Sequence, residues 1–312
     1  DGTSHALALA QQLADLSNVH RLLIFTCGAW ALNPAHGSVW GLSRVLRLEH
    51  TALRTQSVGV RRSPCIDAAL ALTTQVTEPE AMWSVEARHA ARLRPIARTP
   101  ENGAALARCA FVITGGLGGL GLRAATLLAK GGVCSVSLVS RGGHAGRHEQ
   151  GVEVELPLLS STIIAGDASD AADTSALAGI VQPAGVLHAA GIADKGLLVQ
   201  LDAHQLRRLR APKALGAWHL HSATMTAPLE ACLLFSSVGA GLGNVGQANY
   251  AAAKAGVVGL TKTAAREWGP LGIRANCVAF GMIDTRMTRA FSDAVAVGGE
   301  QVAQGLPEHV AA

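Results

Sequence analysis

Short apolar runs that alternate with amphipathic stretches predict a chain of strands separated by helices. A short apolar run bounded by glycine or polar residues indicates a buried strand, whereas apolar positions three or four residues apart indicate a helix. In the first hundred residues the pattern predicts helices over 6–16 and 41–50, a strand over 21–26 and one or two hairpin strands over 81–93. Further along it predicts strands over 109–114, 136–140, 161–165, 185–189 and 232–235, a helix over 122–130 and an alanine-rich helix near residue 250.

Strand, helix and strand at this spacing predict an α/β fold with a Rossmann-type, doubly wound parallel sheet. Pro95, Pro100 and Gly103 indicate a linker. We therefore expect a structural subdomain over 1–104 and a catalytic subdomain over 105–312, whose last residues form a helical lid. The first subdomain has no glycine-rich phosphate loop and no nucleophile paired with a base, so we expect no cofactor site there.

Composition excludes several classes of protein. Only 15% of the residues are charged and 49% are hydrophobic, which is typical of a compact α/β domain. The net charge of +4 is scattered, so no nucleic-acid partner is expected. Six cysteines lack any C-x-x-C pair, so we expect neither disulfides nor a metal site. The chain begins at Asp1 instead of a methionine, so we expect an excised domain. Because it has no signal sequence and no bilayer-spanning run, we expect no membrane contact and a cytoplasmic location, with an organelle lumen as the alternative.

The most informative motif follows the strand over 109–114. Glycines at a strand-to-helix turn let the backbone approach a pyrophosphate and leave the helix N-terminal amides directed at it. A tight turn for helix–sheet packing alone would explain only one of these glycines. We expect cofactor phosphates to bind at Thr114, Gly115, Gly116, Leu117, Gly118, Gly119, Leu120 and Gly121.

The end of the second strand distinguishes between the two nicotinamide cofactors. An NAD site has a carboxylate at this point, whereas Ser140 and Arg141 stand here and no acid follows before Glu149. A guanidinium binds a 2′-phosphate through forked, charge-assisted hydrogen bonds, so NADPH is predicted. The alternative for Arg141 is a solvated surface arginine.

Two further strand ends are expected to border the cofactor. Asp167 and Ala168 follow the third strand, with Asp167 placed near the adenine; alternatively, Asp167 is the N-cap of the next helix. We interpret the histidine that ends the fourth strand as a packing or capping residue, not a catalyst. The fourth strand ends in residues that let the backbone approach the cofactor ribose: His188, Ala189, Ala190 and Gly191.

A serine, a tyrosine and a lysine provide the candidate catalytic groups. Tyr250 and Lys254 are four residues apart on a predicted helix and therefore share one face. We expect the ammonium to lower the pKa of the phenol from about 10 toward neutrality, which would make it a proton donor near pH 7. Ser237, at the end of the preceding strand, is expected to hydrogen-bond the same reacting oxygen.

The spacing Ser237-x12-Tyr250-x3-Lys254 resembles the signature of the short-chain dehydrogenase/reductase family. Residues 108–290 resemble the catalytic part of a ketoreductase domain from a modular polyketide synthase or a related fatty acid synthase. Residues 1–104 resemble the truncated, Rossmann-like structural subdomain of that family. The motifs that carry the resemblance are TGGLGGLG, HAAG, APKALGAWHLH, FSSVGAGLGNVGQANYAAA and WGLSRVLRLEH.

The lysines depart from the pattern of that family. Modular ketoreductases usually have the active-site lysine on the helix before the tyrosine and an asparagine four residues after it. Here Lys213 and Lys254 occupy both places. Either could supply the charge; the helical spacing favours Lys254, and the alternative for Lys213 is a lysine on a helix surface.

The segment after residue 251 resembles free-standing β-ketoacyl carrier-protein reductases more than modular ones. That resemblance implies that Gly281 and Ile283 line the nicotinamide end of the site. Phe280 stands where proline is usual, which is a second departure from the family pattern. The helix over 251–268 is rich in small residues, and the sequence leaves open whether it is a dimer face or core.

The resemblance implies an NADPH-dependent reduction of a β-ketoacyl thioester on an acyl carrier protein to the β-hydroxyacyl thioester. Tyr250 would donate the proton, Ser237 would orient the carbonyl, and a lysine would lower the tyrosine pKa and bind the cofactor ribose. The implied partners are a phosphopantetheine-bearing acyl carrier protein and neighbouring synthase domains. The alternatives are a free-standing reductase or other short-chain alcohol dehydrogenase, and a catalytically silent scaffold domain.

Overall fold

A computed structural model shows the fold and the site. It describes residues 2–14, 21–27, 34–60, 78–83, 87–95, 110–143, 161–192 and 194–281. Residues 1–279 form one compact unit and residues 280–312 a second. Of the second unit, only Phe280 and Gly281 belong to the described residues, so the predicted lid over 284–312 lies outside them.

The amino-terminal region contains a small sheet. Strands β1, β2 and β3 run parallel, and β4 pairs antiparallel with β3, which confirms the hairpin predicted over 81–93. Among its described residues, this region also contains the helices α1 and α2. The elements are α1 (Gly2–Ala14), β1 (Leu23–Cys27), α2 (Pro34–Glu49), β2 (Gln56–Val60), β3 (Glu80–Trp83) and β4 (Arg88–His89).

The remaining described strands form a larger sheet in the order β10-β9-β8-β5-β6-β7, which confirms the Rossmann-type α/β fold. Strand β5 pairs in parallel with both β6 and β8, so the strand order reverses beside β5. Ligands of such sheets bind at the carboxyl ends of the strands, at this point of reversal. The strands are β5 (Ala110–Thr114), β6 (Ser135–Ser140), β7 (Ser161–Ala165), β8 (Gly185–His188), β9 (Ala231–Ser237) and β10 (Arg274–Phe280).

Helices connect these strands, and their bounds agree with the predicted positions to within a few residues. The helix after β5 begins at Gly119, three residues earlier than the apolar spacing indicated. The described helices are α3 (Gly119–Lys130), α4 (Ala171–Val181), α5 (Ala203–Arg210), α6 (Gly216–Ala223), α7 (Gly239–Leu242) and α8 (Ala248–Trp268). Among the described helices, none combines the length and the apolar character that a membrane span requires.

Helix α2 covers the small-residue face of α8. A Cβ atom added to Gly41 would lie 2.3 Å from the carbonyl oxygen of Ala251, and one added to Gly37 would lie 2.8 Å from that of Ala255. Only glycine permits such close contact between two helix backbones. The face that the sequence left open as dimer surface or core is therefore packed against the same chain.

The predicted boundary near residue 104 stays a prediction, because residues 96–109 lie outside the described part of the chain. The two regions share one hydrophobic cluster, in which Leu7, Leu42 and Leu46 pack with Leu198 and Ala251. The amino-terminal region therefore contributes to the core that surrounds helix α8.

The close contact between α2 and α8 can be tested with Gly41→Val. The added side chain meets backbone, not a flexible side-chain end, so overpacking is expected to lower the free energy of unfolding by about 1–3 kcal/mol or more. Gly179→Ala, in α4, is the matched control because no atom lies within 4 Å of its added Cβ. Urea unfolding measures both variants; equal stability would contradict the close contact.

Candidate active site

The glycine loop joins β5 to α3 at the carboxyl edge of the sheet. Gly115 has φ +68°, and Gly121 packs so closely that an added Cβ would lie 2.4 Å from the carbonyl oxygen of Gly115. Gly118 is the N-cap of α3 and is exposed. Leu117 is buried and anchors the loop, whereas Leu120 is about half exposed. The loop thus has the tight turn and the exposed helix N-terminus that a phosphate site requires.

A cavity beside this loop is bordered by the ends of β5, β6 and β8. Its lining residues include Ser140, Arg141, Asp167 and Ala190, together with Ile192 and Pro212, which sequence reasoning did not single out. Ile192 and Pro212 carry no chemical signal in the sequence, because only the fold brings them to this edge.

The donors of this cavity fit a nicotinamide cofactor. The Ser140 hydroxyl has no hydrogen-bond partner within the described residues, and Ser140 lines the cavity. The glycine loop offers helix N-terminal amides to a pyrophosphate. Arg141 is exposed and lies close enough to Asp167 to affect its titration, so both charges face the same region.

Asp167 is not the helix N-cap. Asp170 is the residue that caps α4, where its side chain accepts hydrogen bonds from the amides of Ala172 and Asp173. Asp167 accepts from the amide and the hydroxyl of Ser169 at 2.8 and 2.6 Å. Partial burial raises its pKa, but these hydrogen bonds and the charge of Arg141 lower it, and the net shift is downward. Asp167 is therefore a carboxylate at the edge of the cavity.

His188 connects the phosphate loop to the turn that carries Lys213. Its Nε2 lies 2.8 Å from the carbonyl oxygen of Lys213, and its Nδ1 lies 2.7 Å from the Thr114 hydroxyl. A carbonyl oxygen only accepts, so Nε2 carries the proton and Nδ1 accepts from Thr114. Burial lowers the pKa of His188 to about 4, which keeps the ring neutral. This agrees with the interpretation of His188 as a packing residue.

Ser237 and Tyr250 come together at the carboxyl end of β9. Ser237 is the last residue of that strand, and Tyr250 lies in the first turn of α8. The Ser237 hydroxyl lies close enough to the phenol of Tyr250 to lower its pKa. It also accepts a hydrogen bond from the amide of Gly239 at 3.2 Å. The serine is thus oriented toward the oxygen that would carry the transferred proton.

Both lysines lie beside Tyr250. The Nζ atoms of Lys213 and Lys254 lie 5.5 and 5.9 Å from the centroid of the phenol ring. Lys254 donates to the carbonyl oxygen of Phe235 at 2.7 Å, and Lys213 donates to that of Ile192. Lys213 is only 2% exposed, in a π-helical turn between α5 and α6. The alternative of a surface lysine for Lys213 is therefore wrong.

The predicted lowering of the Tyr250 pKa is wrong in sign. Burial of the phenol raises its pKa, and the nearby Ser237 hydroxyl only partly offsets this. Burial lowers the pKa of Lys254 to about 8. Burial, and then the charge of Lys254, lowers the pKa of Lys213 to about 7, although Asp194 opposes this. Tyr250 is therefore a neutral phenol that retains its proton.

The two residues expected at the nicotinamide end of the site stay a prediction. Gly281 is exposed, and Ile283 lies outside the described residues. Among the described residues, no group of three or more histidine, cysteine or acidic side chains could hold a metal ion.

Two features together are those of a short-chain dehydrogenase/reductase. One is a parallel sheet with a glycine loop after its first strand. The other is a serine at the end of β9 followed by a tyrosine and a lysine on α8. The sequence profile described as "KR domain" matches residues 109–285. The chain belongs to the KR domain family. Domains of this family and its superfamily bind a nicotinamide cofactor.

Relatives of the chain are polyketide synthases. It is 31% identical over 310 residues to the polyketide synthase GfsB of Streptomyces halstedii, an alignment that covers 90% of this chain and 6% of GfsB. It is 35% identical over 278 residues to the spectinabilin polyketide synthase system protein NorA' of Streptomyces orinoci, covering 81% of this chain and 8% of that protein. The chain thus spans a small part of these relatives.

Among solved structures, one described as an A-type ketoreductase from a modular polyketide synthase matches with a TM-score of 0.80 and 31% identity, covering 92% of this chain and 65% of that chain. The first ketoreductase of the tylosin polyketide synthase matches with a TM-score of 0.75 and 27% identity, covering 96% of this chain and 65% of that one.

The lowered pKa of the buried Lys213 predicts how the stability of the chain depends on pH. The pKa of Lys213 is about 7 in the folded chain and about 10.4 when unfolded, so the unfolded state binds more protons between these values. Stability from this group therefore rises with pH across that interval. We expect the free energy of unfolding of Lys213→Met, relative to that of the wild type, to be highest at pH 7 and to decrease progressively toward pH 10.

Urea unfolding at several pH values measures this difference in the free energy of unfolding. Lys130→Met is the matched control, because Lys130 is exposed at the end of α3. A difference between wild type and Lys213→Met that is constant with pH would contradict the lowered pKa.

Proposed function

We propose that this chain catalyses the NADPH-dependent reduction of a β-ketoacyl thioester, carried by an acyl carrier protein, to the β-hydroxyacyl thioester. The observation that supports this most directly is the convergence of two lysines and Ser237 on Tyr250, at the carboxyl edge of the sheet that also carries the glycine loop. This arrangement offers a proton and an oriented hydrogen bond to one carbonyl oxygen. The polyketide synthases that the chain resembles support a thioester substrate and neighbouring synthase domains as partners.

The residues of the chain would divide the work as follows. The bound nicotinamide supplies a hydride for the β-carbon. Tyr250 donates its phenolic proton to the carbonyl oxygen, and the Ser237 hydroxyl donates a hydrogen bond to the same oxygen, which orients and polarises the carbonyl. An ammonium from Lys254 or Lys213 stabilises the phenolate that remains. The raised pKa of Tyr250 keeps the proton in place until charge develops on the substrate oxygen.

Arg141 and Ser140 support NADPH as the cofactor. The buried Ser140 hydroxyl has no partner within the described residues, and the Arg141 guanidinium follows it at the end of β6. Both groups can donate to a 2′-phosphate. Asp167 follows the neighbouring strand β7, and the positive charge of Arg141 lies close enough to lower the pKa of its carboxyl.

The proton donor can be tested with Tyr250→Phe, which removes the hydroxyl and keeps the ring. We expect kcat to fall by about 10²- to 10⁴-fold, while the Kd for NADPH stays near the wild-type value. NADPH oxidation at 340 nm with a short β-ketoacyl thioester measures turnover, and fluorescence titration measures binding. Wild-type turnover that survives the substitution would refute the role of Tyr250. NADPH binding without turnover in wild type would favour the silent scaffold domain.

The cofactor preference can be tested with Arg141→Ala. Loss of a charge-assisted hydrogen bond is worth about 1.5–3 kcal/mol, so the KM for NADPH should rise by about tenfold to a hundredfold. The KM for NADH should change little, because NADH has no 2′-phosphate. Arg208→Ala, an exposed arginine on α5, is the matched control. An equal rise for both cofactors would contradict recognition of the phosphate.

A further inference from the structure

The loop between Ser237 and Tyr250 is held by helix α2. The guanidinium of Arg44 donates to the carbonyl oxygen of Ala240. The Oε1 atom of Glu49, the last residue of α2, accepts a hydrogen bond from the amide of Gly246 at 2.8 Å. Side chains of the amino-terminal region thus bind this loop near its beginning and near its end.

The second carboxylate oxygen of Glu49 binds a different loop. Its Oε2 accepts a hydrogen bond from the amide of Leu198 at 2.6 Å. The two loops also contact each other, because the amide of Gly196 donates to the carbonyl oxygen of Gly246 at 3.0 Å. Gln11, on α1, donates to the carbonyl oxygen of Leu198 at 2.9 Å. The carboxylate of Glu49 therefore links two loops, one that follows β8 and one that precedes α8.

The position of Glu49 is not explained by the stability of its own helix. A carboxylate in the last turn of a helix is disfavoured by the helix dipole. Leu198 begins a short 3₁₀ turn, so its amide has no acceptor within that turn. Gly246 lies in a turn with φ +72°. A carboxylate satisfies both amides with charge-assisted hydrogen bonds, which are stronger than neutral ones.

We propose that Glu49 is a positioning residue for the active site, which holds the two loops beside Tyr250 so that Ser237 and Tyr250 keep their mutual geometry. Gly246 immediately precedes Gln247, the N-cap of the helix that carries Tyr250. A shift of this turn would move the phenol relative to the serine at the end of β9. The inference deepens the proposed reduction and rests on it.

Glu49→Ala and Glu49→Gln test the positioning in the full chain. A misplacement of about 1 Å at a reacting group can cost about a hundredfold, so we expect Glu49→Ala to lower kcat/KM for the β-ketoacyl thioester by about tenfold to a hundredfold. Glu49→Gln retains one acceptor oxygen and should show a smaller loss. The Kd for NADPH should stay within about twofold for both variants, because Glu49 contacts neither the glycine loop nor Arg141.

Hydrogen exchange provides a readout that does not depend on turnover. Amides in 196–200 and 243–248 should lose protection in Glu49→Ala, while those of strand β9 keep it. Glu78→Gln is the matched control, because Glu78 pairs with the exposed Arg92 in the same region. That variant should retain the wild-type kinetics and exchange.

Three results would overturn the proposal. They are wild-type kcat/KM in Glu49→Ala, unchanged protection of both loops, and a uniform loss of protection across the chain, which would mean that Glu49 stabilises the fold as a whole. If the wild type reduces no β-ketoacyl thioester, the proposed function fails. The exchange of the two loops then decides by itself whether Glu49 holds them.

Discussion

The contact of helix α2 with helix α8 is the constraint on which the arrangement of the site depends. Gly37 and Gly41 let the two backbones touch, and an added Cβ at either glycine would meet a carbonyl oxygen of α8. Because α8 carries Tyr250 and Lys254, its placement sets the position of both. The same contact brings the carboxyl end of α2 to the loops around the site, where Arg44 and Glu49 bind backbone groups. The amino-terminal region is thus part of the framework of the site.

Electrostatics at the site follow from burial more than from pairing of charges. Lys213 and Lys254 are both buried, and each donates a hydrogen bond to a backbone carbonyl. Loss of hydration lowers the pKa of both ammonium groups, and the charge of Lys254 lowers that of Lys213 further. Tyr250 loses hydration as well, and its pKa moves upward. The site therefore combines a protonated phenol with two amines whose pKa values are about 7 and about 8.

Elements and motifs could be predicted because they depend on local spacing. Strand β7 has the bounds that its apolar run indicated, and the glycine loop lies between a strand and a helix as predicted. The capping of α4 by Asp170 instead of Asp167 differs by one turn, because either aspartate can accept from a helix N-terminal amide. Local spacing could not predict the burial of Lys213, and only the family resemblance suggested it, since it depends on the packing of α5, α6 and α8 around one π-helical turn.

The sequence by itself determined the alternation of strands and helices, the phosphate loop and the shared helix face of Tyr250 and Lys254. Each of these follows from the periods of the helix and the strand, which act over a few residues. Only the tertiary structure decided that Lys213 lies beside Tyr250, that the pKa of Tyr250 rises, and that Glu49 reaches Leu198 and Gly246. Burial and contacts between residues distant in sequence are set by how the elements pack, and no local pattern records them.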